Sequence, residues 1–391
     1  MPSLYDANTN YQIAGVDLEA NPGLVTREYL IDVYPSLANQ FKTAGLWSWG
    51  ADNAGQLGDN SITNKSSPVQ TVAGGSNWKQ IAIGNGDVGP QAGAIKTDGT
   101  LWLWGAGTLG QLGDNTATSK SSPVQTVSGG TNWLQVSCGG NHTGAIKTDG
   151  TLWMWGEGGS GRLGDNTTAS KSSPVQTVSG GTNWKQVSAG YGSTGAIKTD
   201  GTLWMWGFNN AGQLGDNSIT SRSSPVQTVA AGTNWKQVAA NGREHTAAIK
   251  TDGTLWTWGG NTNGQLGDNS VTSRSSPVQT VAAGTNWKQV ACGQRSTAAI
   301  KTDGTMWLWG INTSGELGDN TVTNKSSPVQ TVSGGTNWKQ VSCGRDHTAA
   351  IKTDGTLWSW GLGTNGQLGD NTATSKSSPV QTVSGGTNWK S

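Results

Sequence analysis

The tetrapeptide Trp-x-Trp-Gly recurs seven times, beginning at Trp47, Trp102, Trp153, Trp204, Trp256, Trp307 and Trp358, at intervals of 55, 51, 51, 52, 51 and 51 residues. Self-similarity at a fixed period of this length is the signature of a repeat architecture, and it constrains the fold before any local propensity is weighed. Every copy is followed by Leu-Gly-Asp-Asn, by Ser-Ser-Pro-Val-Gln-Thr-Val and by Asn-Trp. That last position gives Trp78, Trp133, Trp184, Trp235, Trp287, Trp338 and Trp389, so seven units of three account for all 21 Trp.

One unit reads as four short strands. Trp133 to Cys138 forms the first and Thr143 to Lys147 the second. Asp149-Gly150 separates the second from Leu152 to Trp155, and Asp-Gly between alternating segments predicts a tight hairpin of type I′. The fourth runs from Pro174 to Val178, and Pro at its start suits an outer edge, where no ladder N–H is needed. No segment carries helical periodicity over ten residues. Four antiparallel strands, repeated seven times, predict an all-β, seven-bladed β-propeller over residues 29–391. The unit opening at Asn388-Trp389 stops as its first strand begins; Phe41 to Gly45 reads as a degraded copy of the missing Ile-Lys-Thr-Asp-Gly, and Tyr29 to Val33 as a replacement for the missing first strand. The last blade is therefore expected to be closed by strands from opposite ends of the chain. Residues 1–28, with Asp6, Asp17, Glu19 and Glu28 against Arg27, read as an acidic docking segment outside the repeat.

Composition narrows the function. Charged residues make up 13% and hydrophobic residues 33%, but 60 Gly and 21 Trp separate the chain from disordered sequences, which are poor in aromatics and rich in charge. A formal net charge of +1 gives no global attraction to nucleic acid or anionic lipid. No apolar run approaches the roughly 18 residues of a spanning helix. Met1 to Asn10 is neither basic nor apolar, unlike an ordinary secretory signal.

Gly139-Gly140-Asn141-His142-Thr143, Asp149-Gly150, Trp155-Gly156, Gly161-Arg162-Leu163-Gly164 and Pro174-Val175 together resemble the regulator of chromosome condensation repeat family. The resemblance covers residues 41–391 and implies the propeller. It does not select one activity. The family's eukaryotic founder exchanges guanine nucleotide on a small GTPase while holding chromatin. A secreted bacterial inhibitor of β-lactamases, parts of ubiquitin ligases and bacteriophage-encoded proteins are similar in architecture. The chain has neither a basic tail for chromatin nor an insertion long enough to wedge into a GTPase, so no functional residue is carried over.

Seven internal copies can be compared with one another. Connections in a four-stranded antiparallel blade alternate between the two faces of the ring. One face, made by the Asp-Gly turns and the connections into the third Trp, is nearly identical in every copy. The other differs blade by blade. After Trp-Gly it offers Asp52 and Asn53, Glu157, Phe208 and Asn209, Asn261, and Asn312; in the connections ahead of the second strands it offers Asp87, Asn141, Tyr191, Arg243, Glu244, Arg295, Arg345 and Asp346. Loops on a rigid scaffold carry binding residues, and drift would have touched both faces. These fifteen residues are the candidate binding face.

No chemical centre emerges. His142, His245 and His347 share one repeat position in alternate blades, too far apart for one metal ion, and are expected to hydrogen-bond within their own blades. Cys138, Cys292 and Cys343 also share one position and read as small apolar filler. Three Gly-x-Gly-x-x-Gly matches open no helix, so no dinucleotide site is expected. One Asp per Asp-Asn pair is too few for calcium, and each is expected to cap its own turn. The paired Trp are expected to fill the space between blades. The expectation is a non-enzymatic structural or adhesive protein with no cofactor and no nucleic-acid partner. The resemblance extends this to an extracellular or virion-surface bacteriophage component, a tail fibre or adhesin, that docks through residues 1–28 and meets a host glycan or protein through the variable face. The alternative is a soluble propeller that inhibits or regulates a protein partner. Such a binder concentrates Trp, Tyr and Arg at its contacts, and this face has only Tyr191, Phe208, Arg243, Arg295 and Arg345, which weighs mildly against the alternative.

Overall fold

The computed structural model describes residues 12–13, 16–17 and 45–389, apart from 74, 76, 87, 88, 231, 283, 384, 385 and 388. Its repeating unit is a four-stranded antiparallel sheet. In the second blade the strands are Trp133–Cys138, His142–Lys147, Leu152–Gly156 and Lys171–Gln176, each hydrogen-bonded to the next. Six such blades span residues 78–125, 133–176, 184–227, 235–279, 287–330 and 338–381.

The structure corrects the expectation of seven four-stranded blades. Six are complete, and the remaining sheet has two strands, Trp47–Gly50 and Lys65–Gln70. The strands expected to complete it, from residues 29–33 and 41–44, lie outside the described residues. This two-stranded sheet sits between the last and the first blade. Asn371 N–H donates to the Ser66 carbonyl at 3.1 Å on one side, and Asn60 N–H to Ser121 at 3.0 Å on the other. Trp389 lies beside Trp49, ring centroids 5.9 Å apart, in the place that Trp133 takes beside Trp155 in the second blade.

Strand alternation explains how the blades stack. Successive side chains in Leu152–Trp153–Met154–Trp155 point to opposite sheet faces. Leu152, Met154, Ile146 and Leu163 form an aliphatic face, which packs on Trp184, Val187, Ala196 and Trp206 of the next blade. Trp133, Val136 and Trp155 form the opposite face and meet Ile95, Leu101 and Leu103 of the preceding blade. Both faces of an interior blade are thus buried, and the core lies between blades. Trp133 and Trp155 are fully enclosed, whereas Trp153 stands at the rim, partly buried. Burying one such ring is worth roughly 3 kcal/mol.

Two local expectations change. The Asp-Gly turn is not of type I′, because Gly150 has φ +79° while Asp149 is not among the residues of positive φ. Gly150 N–H donates to Lys147 and Lys147 N–H to Thr151, which closes a three-residue loop with one left-handed glycine. The outer strand begins at Lys171, three residues before Pro174, and ends at Gln176. Pro174 is tolerated inside it because the strand is the outermost and its free edge needs no donor.

Candidate interaction faces

The connections separate into two faces, as the alternation requires. Thr148 N–H donates to the Asn132 carbonyl at 2.8 Å, which joins the Asp-Gly turn to the connection before Trp133. Glu157 N–H donates to Asn141 at 2.9 Å on the opposite side, where the variable connections meet.

The repeated face carries the same device in six blades. The Lys147 ammonium sits 4.9 Å from the Trp133 ring centroid and 4.6 Å from that of Trp153. Asp149 accepts from the Thr151 hydroxyl at 2.7 Å and the Thr151 N–H at 2.9 Å. Those two bonds, with Lys147 nearby, hold its carboxyl below the usual range.

The variable face divides the predicted residues into two groups. Asp52, Asn209, Asn261 and Asn312 are fully buried and belong to the internal frame of their loops, which corrects their assignment to an exposed surface. Asn209 Oδ1 accepts from Leu214 N–H at 2.9 Å, while its Nδ2 donates to the Ser218 and Thr220 carbonyls. Asp52 does the same work: its carboxylate accepts from Leu57 N–H and Ser61 Oγ, and burial raises its pKa. Asn141 is also buried and donates to Glu157 Oε2 at 3.0 Å. Asp87 lies outside the described residues.

The second group reaches solvent. Asn53 and Arg345 are exposed; Glu157, Tyr191, Phe208, Arg243, Glu244, Arg295 and Asp346 are half-buried. The Arg243 guanidinium lies 5.0 Å from the Tyr191 ring centroid. Arg345 Nε is 3.3 Å from Asp346 Oδ2. Glu244 borders a notch of about 360 Å³ between the third and fourth blades, lined also by Asn210, Ala211, Ile219, Gly260 and Thr262.

Sequence reasoning missed two residues here. Five copies carry Gln before the Leu-Gly of this loop, but Arg162 and Glu316 replace it in the other two. Arg162 is buried and pins Glu157, Nη1 to Oε2, at 2.7 Å. Glu316 is a buried carboxylate whose pKa is raised by desolvation and, secondarily, by Asp346. The departure from Gln was the available signal in both.

The innermost strands surround a polar central cavity of about 220 Å³. Gln80 donates to the Val136 carbonyl and accepts from Val136 N–H, both at 3.0 Å. Gln186 with Val238, Gln237 with Val290 and Gln289 with Val341 repeat the pair. Each glutamine amide thus acts as a one-residue strand between neighbouring blades. At the variable end, Asn85 Nδ2 crosses the axis to the Asn241 carbonyl at 2.9 Å, and Ser188 Oγ donates to Asn241 Oδ1 at 2.8 Å.

Two of the three histidines, His142 and His245, hydrogen-bond to the next blade and not within their own. His142 Nε2 meets Thr194 Oγ1 of the next blade at 2.9 Å, and His245 meets Thr297 at 3.0 Å. Burial lowers the pKa of all three, to about 4 for His245 and His347. The cysteines are unpaired, and burial pushes Cys138 and Cys343 up to about 12. Among the described residues no three His, Cys, Asp or Glu side chains converge as a metal site. Asp114 caps its own turn by accepting from Thr116 N–H, and it lies 3.8 Å from Lys120.

What the geometry defines is an all-β propeller with one repeated and one variable face. Residues 45–390 match the RCC1-like domain, and the chain belongs to that family. The Arabidopsis thaliana ultraviolet-B receptor UVR8 is 31% identical over 327 residues, 82% of this chain and 74% of the relative. The human probable E3 ubiquitin-protein ligase HERC3 is 34% identical over half of this chain, a match spanning 19% of that protein. Among solved structures, human WBSCR16 has a TM-score of 0.73 at 22% identity, covering 86% of this chain and 93% of the other. Prp20p from Saccharomyces cerevisiae has a TM-score of 0.75 at 19% identity, covering 87% and 86%. These two likenesses show the fold.

Proposed function

We propose that the chain is a non-enzymatic binding propeller that grips one protein partner through its variable face and regulates it. One observation carries the reading: Arg243 stacked on Tyr191, with the adjacent Glu244 bordering the notch between the third and fourth blades. An aromatic ring, a guanidinium and a concave neighbour are the elements from which interface hot spots are built. The family supports it, since yeast RCC1 is seen bound to Kap60, and Prp20p has binding properties to Gsp1p and histones. A place on a virus particle, expected from the resemblance, forms no part of this proposal. Of residues 1–28 only 12–13 and 16–17 are described, and the docking role expected of that segment forms no part of this proposal.

A photo-crosslinking residue placed at Thr262, beside the notch, is expected to capture one protein from the source cells, and the same residue at Thr148, on the repeated face, is expected not to. Changing Arg243, Arg295 and Arg345 together to Ala should weaken that complex in graded fashion, by roughly 1 kcal/mol or less per exposed contact. Capture through Thr148 alone, or an unchanged affinity in the triple variant, would refute the reading.

A further inference from the structure

Charge is not spread evenly over the ring. Seven outer-strand cations are neutralised locally, from Lys65 with Asp59 to Lys376 with Asp370. What remains divides by face. The variable face holds Arg162, Arg243, Arg295 and Arg345 against the described carboxylates of Asp52, Glu157, Glu244, Glu316 and Asp346. The repeated face holds the six Trp-sandwiched lysines, six turn aspartates, and five further lysines: Lys79, Lys185, Lys236, Lys288 and Lys339. A molecule of near-zero net charge thus presents one clearly cationic face.

Those five lysines share one place. Each is the second residue of an innermost strand, and for Lys79, Lys185, Lys236 and Lys288 the next residue is a glutamine that bridges to the following blade. Each is exposed, and among the described residues none makes an ion pair. Four of them, Lys185, Lys236, Lys288 and Lys339, stand on consecutive blades and so form an arc around one mouth of the central channel. The other end of the channel is bridged by Asn85 and Asn241. Leu134 occupies the equivalent position in the second blade, so the fold does not require a cation there.

Like charges gathered on one rim repel one another, and a multivalent anion relieves that repulsion. The cavity walls have little left to offer, because their glutamines are spent on neighbouring backbone. The turn aspartates, Asp98 and its five equivalents, sit further from the axis, between the second and third strands. There each aspartate is balanced by the Trp-sandwiched lysine two residues before it, so a long polyanion gains no further attraction once past the rim, whereas a compact one centred on the mouth keeps all its charge against the rim lysines.

We propose that this channel mouth binds a compact, multiply phosphorylated small molecule, held by Lys185, Lys236, Lys288 and Lys339 with Lys79 completing the rim. This site is separate from the variable face and does not depend on the protein-binding role.

The test is calorimetric titration of the full chain with myo-inositol hexakisphosphate, and with a long-chain inorganic polyphosphate at equal phosphate concentration. Converting the four consecutive lysines to Gln should weaken hexakisphosphate binding about a hundredfold, at about threefold per exposed charge. Leu134→Lys should tighten it about threefold by the same measure. Raising salt should weaken the wild-type protein more than the quadruple variant. A control variant with Lys65, Lys120, Lys171 and Lys325 changed to Gln removes equal charge from the outer strands and should bind as the wild type does. An unchanged affinity in the inner variant, an equal loss in the outer control, or tighter binding per phosphate by the long polymer would each overturn the proposal. Matching thermal unfolding curves of the variants would establish that the fold is retained.

Discussion

The indole N–H of Trp49 donates to the backbone carbonyl of Gln367 at 3.0 Å, across 318 residues of sequence. The same bond joins every neighbouring pair of sheets: Trp104 to Gln56, Trp155 to Gln111, Trp206 to Arg162, Trp258 to Gln213, Trp309 to Gln265 and Trp360 to Glu316, all between 2.9 and 3.0 Å. The two-stranded sheet is thereby bound into the ring by the rule that joins complete blades. The identity of the residue offering the carbonyl is free to vary, since only its backbone is used. That freedom is how Gln, Arg and Glu come to occupy one position on the variable face.

Replacing the indole with a ring that cannot donate tests this bond. Trp155→Phe should lower stability by about 2 kcal/mol, combining a lost hydrogen bond with a small cavity. Chemical denaturation measures it. A loss below about 0.5 kcal/mol would show that the contact contributes packing alone.

Gly113 stands under the same ring. It has φ +67°, and a Cβ there would lie 2.7 Å from Trp155 Nε1. Gly113→Ala should cost about 3 kcal/mol, from left-handed strain and from overpacking together. Gly129, at φ +50° with nothing within 4 Å of the place a methyl group would take, isolates the first part. Gly129→Ala should cost about 1 kcal/mol. Equal losses at the two sites would mean that the indole moves aside freely.

The Trp period made the blade legible in the sequence, because a packing unit that repeats must repeat its largest side chains. The strand order and the inter-blade core of Trp133 and Trp155 followed from it. Turn geometry did not, since Asp149-Gly150 fits two hairpin types that differ by one residue of loop. Variation alone was a poor guide to exposure. Asn209, Asn261 and Asn312 differ from their copies and are nevertheless buried. Their regularity was the missed signal: that position holds only Asn, Asp or Gly, always five residues before Leu-Gly. The segregation of charge by face was legible in principle, but the outer-strand pairs had first to be subtracted.

The three histidines make stability depend on pH. Their folded pKa values lie below the ordinary value of 6.5, at about 4 for His245 and His347. As pH falls from 6.5 towards 4, the unfolded chain takes up protons that the folded chain refuses, so stability falls over that window. With all three contributing, the slope near pH 5 reaches up to about 4 kcal/mol per pH unit. The turn aspartates, whose folded values are lowered, add to the loss only below about pH 4. Denaturation at pH 7, 6 and 5 gives the slope, and His245→Gln should reduce it by about a third. A slope unaltered in that variant would place the titration elsewhere.

Glu316 acts in the opposite sense. Its folded pKa is raised by burial first and by Asp346 second, so the ionised side chain costs stability at neutral pH and the cost disappears as the pH falls through the folded value. Its Oε2 accepts from Ser314 N–H at 2.8 Å, and Gln111 makes the equivalent bond to Leu109 N–H at 2.8 Å. Glu316→Gln therefore keeps the loop's frame and removes only the charge. It should stabilise the protein by about 1 kcal/mol at pH 7 and by almost nothing at pH 4. Comparing denaturation midpoints of the two proteins at both pH values measures the difference. A stabilisation of the same size at pH 4 would show that the gain comes from packing and not from the removed charge. A loss at pH 7 would mean that the carboxylate is held by a cation, and the raised pKa would then be the wrong reading of this site.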